Sequence, residues 1–146
     1  MGLPELYAQL YAQLAQQLGS STTFGSALEA AGAALLGGAW GGVHAADELP
    51  ERPAQRLTLR VVNTGTRSSG GVHWLACAEH GSRRVFNDPL GSAGAAQRRD
   101  LLRRHPDAAL ADDDAEQQPQ ERDCGVRALV ALAIAAQCGL PAFEAL

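Results

Sequence analysis

Asp123-Cys124-Gly125-Val126-Arg127-Ala128-Leu129-Val130-Ala131-Leu132-Ala133-Ile134-Ala135-Ala136-Gln137-Cys138-Gly139 is the stretch on which the reading of this chain turns. From Val126 to Ala136 only Arg127 interrupts the apolar residues, and a run of that length suits a buried helix rather than a strand. Gly139 closes it and Pro141 follows. Cys124 then falls in the first turn. Free backbone N–H groups and the positive end of the helix dipole gather there, and both favour a thiolate, the nucleophilic form of cysteine. A buried cysteine is also a common small core residue. Asp123 and Gly125 weigh against that reading, because a glycine after the cysteine admits a substrate backbone and leaves an oxyanion position open.

A nucleophilic thiol needs a base, and His73 in Gly70-Gly71-Val72-His73-Trp74-Leu75 is the candidate. Asp88, in Asn87-Asp88-Pro89-Leu90-Gly91, would accept a hydrogen bond from His73 Nδ1–H and fix the ring's tautomer. Val72 to Ala78 and Arg83 to Asn87 read as adjacent strands joined across Glu79-His80-Gly81-Ser82, so a hairpin brings His73 and Asp88 side by side. Gln118 would donate to a tetrahedral oxyanion together with the backbone N–H of Cys124. Gln117 is its rival, and the Gln118-Pro119 order favours Gln118. Both also fit a plain Gln-rich loop. Trp74 points to the other strand face. His44, His80 and His105 read as solvent-facing, and Cys77 and Cys138 as inert packing.

The remainder supplies a frame. Leu6, Leu10, Leu14 and Leu18, with Tyr7 and Tyr11 beside them, make Pro4 to Leu18 an amphipathic helix. A second helix is expected from Ser26 to Leu36, stopped by Gly37-Gly38, with Gly41-Gly42 continuing a flexible joint. Leu57 to Asn63 alternates as a strand. Ala93 to His105 reads as an Arg-rich helix ending at Pro106. Residues 106–121 read as an acidic loop, and residues 107–116 look unfit for a buried strand. The expected fold is a single α+β domain over 1–146: helices in 1–40, strands with His73 and Asp88 in 57–91, the Arg helix in 93–105, and the Gln loop and Cys helix in 117–138.

Val61-Val62-Asn63-Thr64, Arg67, Gly70-Gly71-Val72-His73-Trp74 and Asp88-Pro89-Leu90-Gly91 resemble the adenain (adenovirus-type) endopeptidases. Gln118-Pro119 and Asp123-Cys124-Gly125-Val126 look more like the SUMO-protease signature of the same clan. The position of Asp88 usually holds Glu in adenain-like enzymes and Asp in SUMO-type ones. The resemblance implies a papain-like small mixed sheet with flanking helices, in circularly permuted chain order. It implies a cysteine endopeptidase cutting after small residues, especially Gly, in viral or mobile-element capsid or core precursors. Alternatives within the clan are a ubiquitin- or SUMO-like deconjugase or effector and an acetyltransferase; an inactive scaffold is the non-enzymatic one. The family uses DNA as a cofactor, which points to Arg98, Arg99, Arg103 and Arg104 as a contact surface. It also uses an activating peptide linked through a cysteine, but no cysteine lies between Gly91 and Cys124.

Composition narrows the class. The 146 residues suit one domain, and a net charge of −4 argues against a chain-wide nucleic-acid surface. The 12 basic residues are all Arg. Three cysteines with no disulfide pattern suggest a reducing compartment, which the resemblance would place in the host cytoplasm or nucleus or in a virion. No Cys or His pair has zinc spacing, so neither metal nor required cofactor is expected. Ala30 to Val43 is too short and Gly-rich to span a bilayer, and no signal peptide is read. The expected partner is a protein or polyprotein substrate, met by a monomer.

Overall fold

The computed structural model describes residues 2–19, 25–68, 73–111, 115 and 122–146. Helix α1 (Leu3–Leu18) and helix α2 (Gly25–Leu36) lead into strand β1 (Trp40–His44). Strands β2 (Thr58–Asn63), β3 (Trp74–His80) and β4 (Arg83–Asn87) follow, then helix α3 (Arg99–Arg104), the short strand β5 (Ala109–Leu110), helix α4 (Cys124–Cys138) and helix α5 (Leu140–Glu144). The strands form one five-stranded mixed sheet in chain order. Its outer pairs, β1–β2 and β4–β5, are parallel and its inner pairs antiparallel. The architecture is α+β, a mixed sheet with flanking helices.

Both faces of the sheet are buried, so the inner strands read as apolar runs rather than alternating ones. Leu59, Val61, Ala76, Ala78 and Val85 turn to the face that carries α4. Val62, Leu75, Cys77 and Phe86 turn to the other, where Ala46, Leu49 and Leu101 cover them. Residues Val126 and Ala128 to Ala135 of α4 are buried, which fits a helix that is apolar on nearly every side. Tyr7, Leu10 and Leu14 of α1 pack into the same cluster. Each fully buried Leu, Val or Phe contributes about 1.5–3 kcal/mol relative to exposure.

Several elements differ from the sequence reading. The Gly-rich segment expected to be a flexible joint is a 3-10 turn (Gly37–Ala39) followed by β1. Its glycines serve close approach: a Cβ on Gly41 would lie 2.6 Å from Thr58 Cγ2, and Gly42 has φ 102° where the register with β2 shifts. Glu29 of α2 covers the edge of β1, with Oε1 accepting from Trp40 Nε1 and Oε2 from Val43 N, both at 2.9 Å. The hairpin turn is tighter than expected. Strand β3 continues to His80, leaving Gly81 (φ 59°) and Ser82 (φ 63°) as a two-residue turn with left-handed φ at both positions.

The Arg-rich helix expected over 93–105 is a 3-10 turn (Gly91–Gly94), a further turn and the six-residue α3. Residues 109–110, expected to be loop, extend the sheet beside β4 through Val85–Ala109 and Phe86–Leu110 pairing. The residues after Gly139 form α5, where Pro141 is tolerated in the first turn and Phe143 is fully buried.

The sheet also buries a charge cluster. Glu79 is fully buried, and its carboxylate meets Arg60 Nε at 3.3 Å, Arg84 Nε at 2.6 Å and Ala54 N at 3.1 Å. Arg84 also donates to His105 Nδ1 at 3.0 Å, and His44 Nε2 lies 3.0 Å from Arg60 Nη1, so neither histidine is simply solvent-facing. Burial, then the Arg84 charge, hold His105 below its ordinary pKa. Removing one partner from such a cluster leaves buried charge uncompensated. Glu79→Ala should therefore lose about 3–5 kcal/mol of stability, read as a lowered urea midpoint at unchanged slope. A shift below 1 kcal/mol would contradict this account.

Candidate active site

The β3–β4 hairpin builds the first half of the site. Its register pairs Ala76 with Asn87, so one further step sets Leu75 against Asp88. His73 is the same-face neighbour of Leu75, hence diagonal to Asp88 and within side-chain reach. His73 Nε2 and Asp88 Oδ1 are 2.6 Å apart, and both residues are buried. The nitrogen differs from the expected one: Nε2, not Nδ1, faces Asp88, which leaves Nδ1 on the opposite side of the ring.

Asp88 is met on both oxygens. Oδ1 also accepts from Leu90 N at 3.0 Å, and Oδ2 accepts from Arg98 Nη1 at 2.8 Å. Arg98 Nη1 is 2.6 Å from the Gly91 carbonyl as well. Arg98 is buried, at 5% exposure, which corrects its assignment to a DNA-contacting surface. The segment before α3 turns it inward. Arg99 stays exposed, while Arg103 and Arg104 share Asp100 at the surface. Gly94 closes the pocket: a Cβ there would lie 2.1 Å from Asp88 Oδ2.

Helix α4 brings the second half. Cys124 is its first residue, partly exposed, and its Sγ accepts from Trp74 N at 3.4 Å. The backbone next to His73 thus touches the sulfur. Asp123, buried, anchors the start of α4. Tyr11 OH donates to its Oδ2, and Arg127 Nε lies 3.2 Å from each carboxylate oxygen. The Arg127 guanidinium also stacks 4.2 Å above the Tyr11 ring. Gly125 is buried rather than open to a substrate, correcting the expected role. A Cβ there would meet Leu28 at 3.1 Å and Trp74 at 3.3 Å, so the glycine lets α2 and the β3 start pack against α4.

Electrostatics couples the halves. Burial opposes charge on the His73 ring, but hydrogen bonds and charge from Asp88 and from Cys124 outweigh it and raise its pKa to about 9. Burial likewise pushes Asp88 up, and the His73 and Arg98 interactions override it, holding the carboxyl below its usual range. Held by Asp88, a protonated His73 imidazole can hand its proton to an acceptor. Cys77, fully buried, has its thiol pushed far up by desolvation. Gln118 and its rival Gln117 lie outside the described residues. Among the described residues, no group of three or more His, Cys, Asp or Glu side chains is arranged to hold a metal ion. Likewise, no helix among them is long and apolar enough to cross a membrane.

The sequence reading missed the Arg98–Asp88 contact, Gly94 and the Trp74 N–H. The first two carry no motif, since the irregular turn before α3 hides their spacing. The third is a backbone group that any residue supplies. No known family model matches the chain.

The raised His73 pKa has a stability consequence of definite sign. A group protonated more tightly when folded adds stability that is fully present below its unfolded pKa of about 6.5 and lost as pH rises through about 9. The urea midpoint should fall between pH 6.5 and 9.5, and His73→Ala should flatten that slope. An equal slope in both proteins would contradict the coupling.

Proposed function

We propose that this protein is a cysteine endopeptidase of adenain-like type, with Cys124 as nucleophile, His73 as base and proton donor, and Asp88 as the group that orients His73. The observation that carries the proposal is the Asp88–His73 pair at 2.6 Å beside a cysteine that opens a buried helix. The chain order His, Asp, Gln, Cys and the motifs around each support a papain-like arrangement in permuted order, and the same resemblance supports cleavage after small residues such as Gly.

In this reading Cys124 and His73 rest as a thiolate–imidazolium pair, the thiol's proton already held by the imidazole, and the sulfur attacks the scissile carbonyl carbon. The carbonyl's π electrons move to oxygen, where the Cys124 N–H and the Gln118 side-chain amide donate to the oxyanion. Collapse of the tetrahedral intermediate breaks the C–N bond. His73 passes its proton to the departing amine, leaving a thioester on Cys124. Water, deprotonated by His73, attacks the thioester; collapse breaks the C–S bond, releases the new carboxyl terminus and restores the Cys124 thiolate beside protonated His73. Asp88 keeps its negative charge throughout and holds the ring through Nε2.

Gly-Gly peptides and ubiquitin-like fluorogenic substrates test the reaction and separate an endopeptidase from a deconjugase. Cys124→Ala and His73→Ala should each abolish cleavage, and the double change should be no worse than either alone. Asp88→Asn should slow turnover without abolishing it. Gln118→Ala should cost roughly 10²–10³ in rate, with Gln117→Ala near wild type. Cleavage that persists in Cys124→Ala would sink the proposed nucleophile.

Brief iodoacetamide treatment near neutral pH offers an independent check. Cys124 should alkylate well ahead of exposed Cys138 and buried Cys77. Equal labelling of Cys124 and Cys138 would count against an activated thiol.

A further inference from the structure

The proposed triad leaves one buried cation without a stated task. Arg98 precedes α3 in a turn, and its side chain is 6% exposed. Burying a guanidinium is costly unless its hydrogen bonds are met, and here its Nη1 reaches two acceptors. These are Asp88 Oδ2 at 2.8 Å and the Gly91 carbonyl at 2.6 Å. The same carboxylate gives its other oxygen to His73 and to Leu90 N. An Asp side chain has two torsions, so a partner on each oxygen fixes both. Gly94 shuts off the remaining direction, since a Cβ there would overlap the carboxylate.

We infer that Arg98 is a positioning residue: it holds Asp88 by Oδ2 and Gly91 by its carbonyl so that Oδ1 stays aimed at His73 Nε2. The inference rests on the protease reading for its effect on turnover, but not for its effect on His73. Arg98 acts through Asp88, whose Oδ2 it holds. Its charge pulls in a second direction. A cation beside Asp88 offsets part of the carboxylate's field at His73, so removing it with Asp88 still in place would raise the His73 pKa further. Removing it with loss of the Asp88 contact would lower that pKa. The sign of the change therefore tells anchoring from mere charge balance. Among the described residues, the charged and titratable groups bonded to this carboxylate are His73 from the start of β3 and Arg98 from the turn before α3, and Cys124 of α4 also acts on His73.

The test is Arg98→Gln and Arg98→Lys in the full chain, with exposed Arg103→Ala as the surface control. The His73 ring is titrated by ¹H–¹⁵N NMR, and kcat and KM are measured on a Gly-Gly peptide. Arg98→Gln should bring the His73 pKa down from about 9 toward its ordinary value. It should lower kcat by roughly 10–100-fold at nearly constant KM, the size of effect known for groups that orient a metal-bound histidine. Arg98→Lys should lie between Arg98→Gln and wild type on both readouts, and Arg103→Ala should match wild type. A His73 pKa that is unchanged or raised in folded Arg98→Gln overturns the inference. If Arg98→Gln fails to fold, Arg98→Lys decides alone: a wild-type pKa overturns anchoring by the two-pronged guanidinium, and a lowered one supports it. Should the protein cleave no peptide at all, the protease reading fails while the NMR titration still decides the role of Arg98.

Discussion

A buried carboxylate must have its lone pairs met, and meeting those of Asp88 shapes this end of the molecule. One oxygen draws in His73 and the Leu90 amide, the other draws in Arg98. To deliver Arg98, the chain after β4 abandons helical geometry for a 3-10 turn, and Gly94 is needed because no side chain fits over the carboxylate. Glu79 imposes the same demand at the other end of the hairpin, through Arg60 and Arg84. The β3–β4 hairpin is thus held by apolar packing on both faces and by an ion cluster near each end.

The start of α4 follows a related rule. Asp123 does not cap the helix with its side chain; it turns to Tyr11 and Arg127 instead. The nucleophile candidate therefore owes its location to α1, a helix more than a hundred residues earlier, as much as to its own turn. The sulfur reaches the backbone at the start of β3 because α4 packs on one face of that strand.

The elements with strong periodicity were legible in the sequence. The fourfold leucine spacing gave α1, the long apolar run gave α4, and β4 was read at its observed limits. The approach of His73 and Asp88 could be argued from hairpin arithmetic alone. What escaped were segments whose conformation is imposed by neighbours. Gly41 and Gly42 look like a joint, yet they are glycines because β2 side chains press on β1. Ala109 and Leu110 pair only because β4 offers an edge. Gly125 looked like room for a ligand and is room for Leu28 and Trp74. Arg98 looked like half of a surface doublet, and only a turn invisible in the pattern sends it inside. The ring nitrogen facing Asp88 depends on which way the imidazole leaves the strand, a matter of rotamer and not of spacing.

The two-residue turn at Gly81-Ser82 bears on how the molecule assembles in time. His73 and Asp88 are 15 positions apart and joined by a hairpin, whereas Trp74 and Cys124 are 50 apart. Closing the longer loop costs about 1 kcal/mol more in chain entropy, and it also requires α1 and the sheet to be ready for α4. Hairpins form in roughly microseconds, and non-local docking is slower. Chain separation alone thus favours the imidazole–carboxylate pair over the contact of β3 with Cys124 as the earlier one to close. Until α4 docks, a partly folded chain carries a thiol with no imidazole beside it. In the protease reading, the chain gains the power to cut peptide bonds, its own included, only once α4 has docked on the sheet.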